Sequence, residues 1–116
     1  MKILKRISVL VLAVLSLMPS MAKSGVVYQR QDSIRIVNLL KQAKALKTKP
    51  ANWMLWFGKQ FVGIPYVGGT LDRTKEEVLI VNTRELDCTT YVEMVTALTM
   101  CAQKHETSFA SFIRKM

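Results

Sequence analysis

The sequence predicts an α+β chain in which helices dominate and little sheet is present. Apolar residues recur at three- and four-residue steps over residues 31–47 and again over 88–104, the period of helices packed on one side. A single run, Val78-Leu79-Ile80-Val81-Asn82, has the β-branched content of a short buried strand.

The first segment has another purpose. Lys2, Lys5 and Arg6 form a positive n-region, Ile7 to Met18 an apolar h-region, and Ser20-Met21-Ala22 supplies small residues before a cut after Ala22. This order is that of a secretory signal peptide, and an h-region of about 12 residues falls short of the roughly 20 that a spanning helix needs. No cysteine follows closely enough for lipid attachment. The expected address is periplasmic or extracellular, without stable membrane insertion once residues 1–22 are removed. Residues 23–116 are then part of one small domain.

In "QDSIRIVNLLKQAKALK", Ile36, Leu39, Leu40, Ala43 and Leu46 share a stripe, Asp32 or Ser33 is placed to cap the helix, and Pro50 disfavours helical angles at Lys49. "ANWMLWFGKQFVG" predicts a second, shorter helix, largely buried. "GIPYVGGTL" breaks the pattern with Pro65 and Gly68-Gly69 and predicts a loop around Tyr66. "DRTKEE" is a solvated stretch before the strand at 78–82. Asp87 is a good N-cap, which makes Cys88 the first residue of a helix whose expected core stripe is Tyr91, Val92, Val95, Leu98 and Ala102. Glu93 falls on another face and is expected to be solvated. "TSFASFIRKM" starts a further helix, capped by Thr107 or Ser108, with Phe109, Phe112 and Ile113 inward.

The formal charge is +9 and becomes +6 once Lys2, Lys5 and Arg6 leave with the signal. A basic surface favours polyanions, but the Lys and Arg residues are dispersed and no RNA-binding signature accompanies them. Nucleic acid is not the expected partner. One histidine and scattered carboxylates make no metal-ligand cluster, so neither metal nor cofactor is expected.

An exported chain with two cysteines suggests a disulfide, yet Cys88 and Cys101 lie 13 positions apart on one predicted helix. That spacing separates them by roughly 20 Å, when bridged α-carbons lie within about 7 Å. Cys101 is expected to be a small buried hydrophobe. Cys88 differs, because unpaired amides and the positive end of the dipole at a helix N-terminus favour a thiolate and can hold the oxyanion formed when it attacks a carbonyl.

"PYVGGT", followed after about twenty residues by "DCTTYVE", resembles the NlpC-type papain-like cell-wall hydrolases, in which a Tyr-x-Gly-Gly stretch precedes an Asp-Cys at the start of the central helix. The longer match, from "GIPYVGGTLD" through "EVLIVNTRELDCTTYVEMVTAL", is similar to their N-acetylmuramoyl-L-alanine amidase-like branch and covers about residues 52–115. The resemblance implies a papain-like fold of which this chain holds the helical N-terminal part and little of the sheet. It implies that Cys88 attacks the amide joining a muramic acid lactyl group to L-alanine, through an acyl-enzyme. Tyr66 would line the pocket and orient the substrate, and Asp87 would help to hold its peptide end besides capping the helix. The substrate would be peptidoglycan or a muropeptide released from it.

Such a hydrolase needs a histidine to carry the thiol proton. The sole histidine, His105, lies 17 residues after Cys88, roughly 25 Å away by helical rise, and is not expected to act as the base. In the family that histidine comes from a sheet downstream of the nucleophile helix, whereas here one strand is predicted and it lacks a partner. The expectation is therefore an N-terminal portion of the amidase domain, truncated and inactive alone. A second reading is a small basic exported module that binds wall polymer or a partner protein without catalysis. The two part at Cys88, which only the enzyme requires.

Overall fold

The computed structural model describes residues 25–69 and 78–116. In chain order they form β1 (Val26–Tyr28), α1 (Arg30–Ala45), α2 (Trp53–Lys59), β2 (Leu79–Val81), α3 (Cys88–Gln103) and α4 (Phe109–Lys115). The mixture is α+β, four helices with a two-stranded sheet. The signal peptide expected at residues 1–22 and the solvated stretch at 72–77 lie outside the described residues.

α3 is central: α1, α2 and α4 all pack on it, and α1 also meets α4. Met94, Val95, Ala97, Leu98, Cys101 and Ala102 form its buried side. Of the expected stripe, Val95, Leu98 and Ala102 are inward, but Tyr91 and Val92 remain 37% and 55% exposed. The core begins at Met94, and before it only Thr90 is buried in this helix. The first turn and a half therefore projects beyond the core, carrying Cys88, Tyr91 and Val92 on an open side.

α1 buries Ile36, Leu39, Leu40 and Ala43, as the periodicity predicts, while Leu46 lies past the helix end and is only half-buried. Its cap differs from the expectation of Asp32 or Ser33. Gln29 is the N-cap and Asp32 stands three residues inside, its Oδ2 accepting the Gln29 N–H at 2.8 Å. At the other end Lys49 Nζ donates to the Ala43 and Lys44 carbonyls at 3.1 and 2.8 Å, satisfying oxygens that the helix leaves free.

α2 starts at Asn52, whose Oδ1 accepts from Leu55 N at 3.0 Å. Only one face is buried, contrary to the expectation of a largely buried helix. Phe57 is fully enclosed and stacks on Trp53 with centroids 5.6 Å apart, whereas Met54, Leu55 and the following Val62 are 40%, 55% and 82% exposed. Seven residues give two turns, enough to press one side against α3. At Gly58 a Cβ would lie 2.6 Å from Tyr91 Oη.

The strand predicted at 78–82 does have a partner. β2 pairs in parallel with β1, Val26 opposite Leu79 and Tyr28 opposite Val81. The connection runs through α1 and α2, since parallel neighbours require a long crossover. Tyr28 also tilts onto Phe109 of α4 at 4.7 Å. Ser108 caps α4 by accepting from Ser111 N at 3.1 Å, and Phe112 is fully buried.

Asp32 ties these parts together. Its Oδ1 accepts from Thr83 N at 3.0 Å, Thr83 Oγ1 at 2.7 Å and Arg84 Nε at 3.3 Å. Burial alone pushes this carboxyl up, but the amides of Thr83 and Gln29, the Thr83 hydroxyl and Arg84 outweigh it, so the group lies below the ordinary carboxylate range. Asn82 Oδ1 meanwhile accepts from Arg84 N and Glu85 N at 2.9 and 3.1 Å, a local turn made by an Asn side chain. The loop between β2 and α3 is thereby pinned to the start of α1, and Cys88 follows directly from it.

Candidate functional site

Cys88 opens α3 and is exposed. Asp87 is the N-cap, as the sequence predicts: Oδ1 accepts from Thr90 N and from Thr90 Oγ1, each at 2.8 Å, and Thr90 Oγ1 in turn accepts from Asp87 N at 2.9 Å. The Thr90 amide and then its hydroxyl hold the Asp87 carboxyl below its usual range. No hydrogen bond among the described residues uses the amide of Cys88, so the helix end keeps a donor beside the thiol.

Tyr66 reaches this end by backbone pairing. Gly63, at φ +92, turns the chain away from α2. Leu86 N then donates to Pro65 O at 3.1 Å, and Val67 N to Leu86 O at 3.0 Å, an isolated parallel bridge between Tyr66 and Leu86. The residue just before Asp87-Cys88 thus carries Tyr66 alongside. This pairing, rather than the Gly68-Gly69 turn, sets its place.

Tyr66, Asp87 and Cys88 line one shallow cleft of about 280 Å³. Its walls are largely apolar: Phe61, Val62, Ile64, Leu86 and the Tyr91 ring surround the thiol. Phe61 meets Tyr91 edge-on at 6.4 Å, and Gly58 leaves room for the Tyr91 hydroxyl. Sequence reasoning missed Tyr91 and Phe61 as site residues. Tyr91 stands one turn after Cys88, a spacing that puts the two on one face, but its apolar ring fitted a core stripe equally well.

The remaining candidates fall elsewhere. Cys101 is fully buried, and burial pushes its thiol up; both cysteines are free. His105 is exposed at the opposite end of the 16-residue α3, a length of about 24 Å. It adopts φ +58, with His105 N on Ala102 O and Glu106 N on Cys101 O at 3.1 and 3.0 Å. Those two bonds form a left-handed helix stop. Glu93 is exposed. Among the described residues no group of three His, Cys, Asp or Glu side chains is placed to hold a metal ion, and no helix is long and apolar enough to cross a membrane.

Residues 56–116 match the family model described as AmiA-like: N-acetylmuramoyl-L-alanine amidase-like. The matched span includes Tyr66, Asp87, Cys88 and all of α3. No curated protein and no solved structure matches the chain significantly.

Proposed function

Because the chain belongs to the N-acetylmuramoyl-L-alanine amidase-like family, we propose that it is the nucleophile-bearing part of an exported, papain-like cysteine amidase acting on the bond between N-acetylmuramic acid and L-alanine. The family points to a peptidoglycan-related substrate. The observation that carries the finer reading is the shared cleft, which unites Tyr66, Asp87 and Cys88 at a helix start.

The Cys88 thiolate attacks the lactyl carbonyl carbon, and the carbonyl oxygen becomes an oxyanion beside the unengaged Cys88 amide. The C–N bond then breaks, the L-alanine amine leaves with a proton, and a thioester remains on Cys88. Water cleaves that thioester to give the muramic carboxylic acid and the free thiol. Tyr66, 72% exposed on the cleft rim, orients the substrate through its hydroxyl. Asp87 has committed Oδ1 to the helix cap, so a contact with the peptide end would use Oδ2. The apolar walls suit the lactyl and alanyl methyl groups.

His105 stands at the opposite end of α3 from Cys88, so in this reading it is not the proton carrier. The test is to read the gene across and beyond codon 116, express the product, and follow release of the L-alanyl peptide from a muropeptide by mass spectrometry. Cleavage should fall by roughly 10³-fold or more in Cys88→Ala. Equal cleavage by that variant would overturn the assignment, and retained wall binding without cleavage in either protein would favour the non-catalytic binding module.

A further inference from the structure

Helix α2 turns apolar side chains toward solvent. Met54 and Leu55 are 40% and 55% exposed, and Val62, just past the helix, is 82% exposed. Leu55 and Lys59 stand one turn apart on the same side. Val62 N donates to Lys59 O at 3.3 Å, a tighter turn in which residues three apart eclipse, so Val62 continues that side. Trp53 and Trp56 are half-buried, packed on the core yet still open to solvent in part.

The surrounding segment carries charge of one sign. From residue 33 to residue 71 the sequence holds Arg35, Lys41, Lys44, Lys47, Lys49 and Lys59 and no Asp or Glu. The five lysines are exposed, and none forms an ion pair among the described residues. The Lys49 ammonium is fixed on the carbonyls that end α1, at the point from which the chain enters α2, and Lys59 lies on the open side itself. Asp87, which shares the Cys88 cleft with Val62, is already bound by Thr90.

We infer that this face docks the protein on the surface of an anionic phospholipid bilayer. The combination of apolar and cationic groups selects that partner. A soluble polyanion would engage the lysines and leave Leu55 and Val62 in water, and a second copy of this chain would bring like charges together. At a bilayer the apolar side chains enter the boundary between headgroups and acyl chains. Lysine ammonium groups reach the phosphates over their own apolar stems, and tryptophan rings sit at headgroup depth. The seven residues of α2 lie on the surface, and no described helix is long and apolar enough to cross. Because Val62 is also a wall of the Cys88 cleft, docking holds that cleft beside the headgroups. None of this depends on the chemistry of the thiol.

The test uses the gene product freed of residues 1–22, so that the expected signal cannot itself bind lipid. It is sedimented with vesicles of phosphatidylglycerol or of phosphatidylcholine while tryptophan emission is followed, Trp53 and Trp56 being the two tryptophans of the sequence. Binding to phosphatidylglycerol should be about tenfold or more the stronger, should weaken with salt and should shift the emission to the blue. Leu55→Gln combined with Val62→Gln should weaken it about tenfold or more, and Lys59→Gln about fivefold, with circular dichroism unchanged. Cys88→Ser should bind as the wild type does. Equal binding to the two lipids, or sedimentation without a blue shift, would overturn the inference. Undiminished binding by the Leu55/Val62 variant would leave only a general site for polyanions. Emission already blue and indifferent to vesicles would show that further polypeptide or a second copy covers the face, and the inference would fall.

Discussion

Helices α1 and α3 are each 16 residues long and each has an aspartate fastening its first turn, yet the two starts differ in what surrounds that carboxylate. Asp32 is fully buried and reaches Thr83 and Arg84, more than fifty residues away in sequence. Asp87 is bound to its own neighbour Thr90 and sits at the rim of an open cleft. One helix start joins the fold together, and the other needs only local chemistry to stay formed. The contrast shows how a small chain can leave a thiol exposed: the loop leading to Cys88 is held from behind at Asp32 and alongside by the bridge between Leu86 and Tyr66, so the thiol itself can stay open.

Removing the two carboxylates should therefore have unequal consequences. Asp32→Ala strands the Thr83 donors and Arg84 and should cost about 3–5 kcal/mol, the range for breaking a buried charged network. In a domain this small that lowers Tm by roughly 12 °C or more. Asp87→Ala loses a cap and should cost about 1 kcal/mol. Thermal denaturation of both variants tests this, and equal losses would refute the contrast.

Acid should separate them in the same direction. The Asp32 carboxyl is held low in the folded chain, so its contribution is complete above the unfolded carboxyl value of about 3.9 and disappears as pH falls through the lower folded value. Stability of the wild type should decline on acidification below about pH 4, and Asp32→Asn should show a distinctly shallower decline. Asp87 and Glu106, also held low, supply the slope that remains. Parallel acid profiles would place the acid sensitivity elsewhere.

The two cysteines repeat the comparison at the two ends of α3. Cys101 is wholly enclosed and Cys88 is open. A hydroxyl in place of the Cys101 thiol should cost about 1–3 kcal/mol, while Cys88→Ser should stay within about 0.5 kcal/mol. An alkylating reagent should modify Cys88 in the native chain and reach Cys101 only after denaturation. Native labelling of both would mean that this end of α3 opens readily.

How much of this the sequence discloses follows from the range of each interaction. Asp87 as the cap and Cys88 as the first helical residue were legible because capping is settled within four residues. The α1 stripe was legible for the same local reason. β1 was not: three residues carry no measurable alternation, and its partner lies beyond two helices. Asp32 looked like a cap because its distant partners at Thr83 and Arg84 leave no trace in local spacing. The stripe containing Tyr91 and Val92 had the right period, but a period cannot say where along a helix the core begins. A motif singled out Tyr66, Asp87 and Cys88, which line one cleft, whereas the rest of the cleft walls depend on how closely α2 approaches α3.

That approach gives the smallest expected effect and the sharpest probe of the open end. At Gly58 a methyl group would gain helix propensity worth about 1 kcal/mol, but it would press on Tyr91 Oη at 2.6 Å. The Tyr91 ring is 37% exposed and can swing outward, so Gly58→Ala should change stability by less than about 0.5 kcal/mol. The displaced ring nevertheless walls the thiol, so the alkylation rate of Cys88 should shift while Tm stays still. A large loss of stability instead would show that Tyr91 is held as firmly as the core, and that the cleft is part of the structural frame that Asp32 anchors.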